Sequence, residues 1–98
     1  MIPVDIYSIE GTVEQFPMKG GWIYIQAPLE YTELFKPFEE RGLIAIHATI
    51  GTSSWKTSLM PKGDGSHFIA IPKKIRAKEN IHVGNTIKVE FKLRYRRD

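Results

Sequence analysis

Lys62, Asp64 and His67 fall within six consecutive positions, Lys62-Gly63-Asp64-Gly65-Ser66-His67, and Lys73, Lys74 and Arg76 follow within the next nine. Ammonium and guanidinium groups at this density hold anions, and a carboxylate between them can orient a guanidinium. Gly63-Asp64-Gly65 has two readings. It is a glycine-supported turn, or Asp64 orients a neighbouring arginine, with Arg76 the candidate, at the mouth of a pocket. Lys73 and Lys74 stand at the start of an expected helix, a placement that invites phosphate between them and the free backbone amides. Lys62, Asp64, His67, Lys73, Lys74 and Arg76 are therefore the candidate rim for an anionic ligand or a protein partner.

Other chemistries find less support. No nucleophile elbow, phosphate loop or metal signature is present, and Gly63-Asp64-Gly65 lacks the residues that surround such a glycine pair in any of them. His47, His67 and His82 have no ligand spacing, so each reads as a hydrogen-bonded structural residue. The absence of cysteine excludes disulfides and thiolate metal or redox sites. No catalytic residue, metal or cofactor is assigned. Trp22 and Trp55 are expected in the core, with a stacking wall for a ligand as the other reading.

The chain that must position these groups has 98 residues, enough for one core, so residues 1–98 are expected to form a single domain. A hydrophobic share of 42% and a charged share of 26% are those of an ordinary globular protein. The start, Met1-Ile2-Pro3-Val4-Asp5, has no basic region followed by an apolar run. No apolar stretch approaches the roughly 18 residues of a membrane span, so a cytoplasmic protein is expected. Charge is unevenly placed: residues 1–72 hold five Lys/Arg and eight Asp/Glu, whereas residues 73–98 hold nine Lys/Arg and three Asp/Glu. The second part is a candidate surface for an anionic partner, or a solvated strand face.

Ile87 to Tyr95 alternates apolar and charged side chains at every step, the period-two pattern of a half-buried strand. Leu43 to Ile50 is apolar on both faces apart from His47 and Thr49, which predicts a central strand. Trp22 to Ala27 is a third, with Trp22 and Tyr24 on one face and Ile23 and Ile25 on the other. Gly51-Thr52 and Gly63-Asp64-Gly65 separate the Trp55 to Met60 and His67 to Ile71 strands into consecutive hairpins. With Asp5 to Phe16, about six or seven strands result, predicting a mainly β fold: a small closed or partly open barrel. Two short helices interrupt it. The first follows Pro28 and places Tyr31, Leu34, Phe35 and Phe38 on a packing face, with Pro37 as a break and Gly42 as its stop. The second follows Pro72 and runs to Asn80, with Ile75 and Ala77 inward.

Both halves share one order: strand, proline, short helix, glycine, strand, around Pro28 and Gly42 and again around Pro72 and Gly84. This predicts an internal pseudo-twofold layout. Ile71-Pro72-Lys73-Lys74-Ile75-Arg76 with Ile81-His82-Val83-Gly84-Asn85-Thr86-Ile87-Lys88-Val89 resembles the swapped-hairpin element of AbrB-type transcription factors and antitoxins. Over roughly residues 5–95 the chain also resembles the domain-of-unknown-function 1905 family, through Trp22 to Pro28, Leu59 to His67, and Ile75-Arg76 to Gly84. The resemblance implies an AbrB-like barrel. AbrB-type dimers interleave two identical hairpins, whereas the internal repeat here predicts a monomer that supplies both halves.

The AbrB resemblance also implies DNA contact, through Lys73, Lys74, Arg76, Lys78, Lys88, Lys92 and Arg94, supported by Arg96 and Arg97. The first helix departs from that pattern, carrying Glu30, Glu33, Glu39 and Glu40 against Lys36 and Arg41, so any nucleic-acid binding is expected to be weak and non-specific. The preferred reading is a non-catalytic binding or accessory module for an anionic ligand or protein partner. An AbrB-like nucleic-acid binder is the alternative, and an enzyme of unidentified chemistry the third.

Overall fold

Side-chain alternation carries directly into strands in the structure, a computed structural model that describes residues 6–94. Asp5, Tyr95, Arg96 and Arg97, which the sequence reading assigns to strand ends or a basic tail, lie outside the described residues. The elements are β1 (Tyr7–Gln15), β2 (Ile23–Gln26), α1 (Leu29–Leu34) with a 3-10 turn at Lys36–Phe38, β3 (Ile44–Ile50), β4 (Ser53–Pro61), β5 (His67–Ala70), α2 (Lys73–Glu79) and β6 (Thr86–Leu93).

Six antiparallel strands close into a barrel in the order β1-β2-β5-β4-β3-β6. Closure gives every strand a paired neighbour on each side of the ring. The inward positions are apolar and fill the interior: Ile9, Ile25, Ile46, Leu59, Ile69, Val89 and Phe91 are all fully buried. β6 keeps its predicted alternation, with Val89 and Phe91 inward and Lys88, Glu90 and Lys92 outward. β3 lies between β4 and β6, the central place its apolar faces predict.

The internal repeat is a true twofold layout. Exchanging β1 with β4, β2 with β5 and β3 with β6 leaves the ring order unchanged. The exchange passes between β2 and β5, where Ile25 pairs with Ile69 and the flanking pairs are Tyr24 with Ala70 and Gln26 with Phe68. Ile25 and Ile69 each stand three residues before the proline that opens a helix, so the repeat equates residues that touch. Pro28 and Pro72 occupy matching N-cap positions with extended backbone, as their fixed φ favours.

The first helix differs from its expectation. α1 has six residues and the chain then tightens to a 3-10 turn, because Pro37 cannot donate to the carbonyl four residues earlier. The 3.6-residue period is lost there, so Phe35 is buried while Leu34 and Phe38 are 53% and 42% exposed. Gly42 does not end a helix. Arg41 and Gly42, both at positive φ, are the central pair of a tight turn closed by two backbone bonds between Glu40 and Leu43. A primed turn needs φ > 0 at both positions, which glycine supplies without strain. Gly84, its counterpart in the repeat, likewise takes a turn before the return strand.

α2 buries Ile75 and leaves Ala77 exposed, and it ends at Asn80 in a left-handed conformation. The Glu79 carboxylate ties it to the β3–β4 turn by accepting from the Ser53 and Thr52 hydroxyls. Trp55 packs half-buried against the core, with its indole Nε1 buried and without a hydrogen-bond partner among the described residues. Trp22 is not core: it is 55% exposed, because it lies just before β2 on the outer surface of the barrel.

Candidate functional site

The outer surface over β2 and β5 carries a second aromatic cluster, separate from the interior. Tyr24 and Phe68 project outward from adjacent strands, and Phe16 covers them, stacked on Tyr24 at 4.3 Å and edge-on to Phe68 at 5.0 Å. Trp22 meets Phe68 in a T-shaped contact at 6.1 Å and stands at the margin. The loop between Phe16 and Trp22 is braced from within: the Phe16 amide donates to the Trp22 carbonyl, and the Gly21 amide to that of Met18. Gln15 Nε2 donates to the Gly21 carbonyl at 3.1 Å.

Between this loop and α2 lies an open groove of about 540 Å³. Ile23, Met60 and Ala70 form its apolar floor, Trp22 one wall, and Pro72, Lys73 and Arg76 the other. None of the described residues lining it is acidic. Arg76 Nε donates to the Ile71 carbonyl at 3.0 Å, which holds the guanidinium in place at the groove.

The expected six-residue rim is divided. Lys73 and Arg76 line the groove, and Lys74, beside them on α2, is exposed. Lys62 is half-buried, with Nζ donating to Gln26 Oε1 at 2.7 Å and lying 5.1 Å from the centre of the Tyr24 ring. Asp64 serves its own turn: its Oδ1 accepts from the Ser66 amide at 2.9 Å and from the Ser66 hydroxyl. The Ser66 hydroxyl, then the Ser66 amide, hold the Asp64 carboxyl below its usual range. The orienting role considered for Asp64 toward Arg76 is not formed, since each side chain bonds elsewhere.

His67 is buried rather than at a rim. Its Nε2 lies 3.0 Å from the Gly42 carbonyl and its Nδ1 3.0 Å from Thr32 Oγ1. A carbonyl only accepts, so Nε2 carries the proton, and in the neutral ring Nδ1 accepts from the Thr32 hydroxyl. The imidazole thus joins α1, the Arg41-Gly42 turn and β5, and both ring nitrogens are used.

The basic end of the chain is likewise not one surface. Lys73, Lys74 and Lys78 are exposed on α2, while Lys88 and Lys92 project from β6, across the six-strand ring from β5. Lys88 is paired in register with Glu10, Lys92 with His47, and Glu90 stands between them. Arg94 is engaged with the backbone, donating from Nε to the Ile46 carbonyl at 2.7 Å and from Nη2 to that of Thr57 at 2.8 Å. A hollow of about 690 Å³ beside it mixes Glu39, Glu40 and Arg41, so it presents no single sign of charge.

Trp22 is the groove residue that sequence reasoning placed in the core. The signal for its exposure is the glycine pair just before it, Gly20-Gly21, where the chain turns ahead of β2. Among the described residues no group of three His, Asp or Glu side chains is gathered to hold a metal ion, and no helix is long and apolar enough to cross a membrane. No curated protein matches the chain. Residues 10–91 match the model described as Domain of unknown function (DUF1905), and with this six-stranded, twofold barrel the chain belongs to that family.

Proposed function

We propose that this chain is a non-catalytic binding module, monomeric and cytoplasmic, whose groove between the Phe16–Trp22 loop and α2 takes the anionic group of a ligand. The observation that carries this reading is the convergence of Lys73 and Arg76 on a groove that none of its described lining residues makes acidic. An apolar cleft with a few convergent polar groups is the usual form of a small-molecule site. Lys74 adds positive potential from the same helix, and Lys62, Asp64 and His67 shape the neighbouring β4–β5 turn. Titration with inorganic phosphate, followed by amide and side-chain NMR, is expected to shift the Lys73, Arg76 and Trp22 signals. The double variant Lys73→Glu with Arg76→Glu is expected to lose those shifts. Shifts confined to β6, or none at all, would count against the groove.

A second reading is contact with nucleic acid through α2, favoured by the exposure of Lys73, Lys74 and Lys78 on one short helix. The separation of Lys88 and Lys92 from that helix, and the engagement of Arg94, reduce the phosphates it can neutralise.

A further inference from the structure

We propose that the groove's occupant is one planar aromatic anion of about the size of a nucleoside monophosphate, its ring on the Trp22 indole and its phosphate on Arg76 and Lys73. This rests on the reading of the groove as an anion site and adds the rest of the ligand. The indole is more than half exposed and meets Phe68 in a T-shaped contact. Such a contact leaves indole face open for stacking, which every nucleobase can supply.

The wall is built before the ligand arrives. The backbone bonds within the Phe16–Trp22 loop and the Gln15 bond to Gly21 fix the backbone that carries the indole, and the edge contact with Phe68 supports the ring. Gly21 is required at its place, because a methyl group there would overlap the Phe16 carbonyl oxygen. A preorganised wall lowers the entropic cost of binding. Arg76 is prepared in the same way. Its Nε is spent on Ile71, which sets the guanidinium plane, and among the described residues no bond uses its terminal nitrogens, the pair that grips a phosphate from two sides.

Size and surroundings select a single nucleotide over a longer strand or a peptide. A groove of about 540 Å³ falls within the range of small-molecule sites. Beyond Gln15 the outer face of β1 carries Glu14 and Glu10, which would repel a continuing phosphate backbone. At the groove itself β2 is already paired with both β1 and β5, so a peptide has no strand edge to extend there among the described residues.

The test is calorimetry and NMR on the full chain with four probes: adenosine monophosphate, adenosine, inorganic phosphate and a short single-stranded oligonucleotide. Adenosine monophosphate is expected to bind at least about fivefold more tightly than phosphate, the low end of a base–aromatic stack. Trp22→Leu is expected to remove that advantage and Trp22→Phe to keep most of it, while Arg76→Gln weakens adenosine monophosphate and phosphate alike. Retained NMR dispersion shows that each variant folds. If the nucleotide binds no better than phosphate, the aromatic occupant is overturned and the anion site stands. If neither reaches the groove, both fail. If the oligonucleotide binds much more tightly per site than the nucleotide, a strand replaces the single nucleotide as occupant.

Discussion

His67 Nε2 and the Gly42 carbonyl oxygen lie 3.0 Å apart, joining residues from the two halves of the repeat. The histidine comes from β5, and the glycine from the turn that leads into β3, so the bond locks one half's return strand to the other half's opening strand. With Thr32 on the second nitrogen, the ring is a three-way brace.

Replacing His67 by alanine removes both bonds and leaves the Gly42 carbonyl and the Thr32 hydroxyl to find other partners. The expected loss is about 1–3 kcal/mol of unfolding free energy. Urea denaturation checks this, and a change within about 0.5 kcal/mol, the usual range for surface substitutions, would show that the brace carries no net stability.

Ile69 and Trp22 provide a contrast between size and burial. Ile69→Ala opens a cavity at the centre of the twofold layout and is expected to cost about 2–5 kcal/mol. Trp22→Ala removes a larger but mostly exposed side chain and is expected to cost clearly less. Equal losses in thermal or denaturant unfolding would mean that Trp22 supports the barrel rather than a ligand.

Asp64 should titrate below an ordinary aspartate, chiefly because the Ser66 hydroxyl and then the Ser66 amide bond its ionised form. A carboxylate depressed in the folded state stabilises above its unfolded pKa, and that contribution fades as pH falls through the folded pKa. Ser66→Ala is expected to raise the Asp64 pKa toward the usual range, as followed by carboxyl carbon NMR. An unchanged titration would locate the cause elsewhere.

Duplex DNA of random sequence is expected to bind weakly, and only at low salt. Fluorescence anisotropy at about 50 mM and about 200 mM salt spans the range over which phosphate-driven binding falls steeply. Tight binding that survives the higher salt and is lost in a Lys73→Glu, Lys74→Glu, Arg76→Glu variant would favour the nucleic-acid reading over the groove.

Local pattern in the amino-acid sequence determined the elements. Alternation from Ile87 to Leu93 marks β6, Pro28 and Pro72 open both helices, and the strand–proline–helix–glycine–strand order carries the twofold barrel. These features are legible because backbone periods and proline or glycine dihedrals act within a few residues. Tertiary structure alone decided which side chains meet. The β2–β5 pairing sets Trp22 beside Lys73 and Arg76, half a chain away, and places Lys88 and Lys92 on the far side of the ring. Burial of His67 depends on Thr32 and Gly42, which reach it only once the barrel closes.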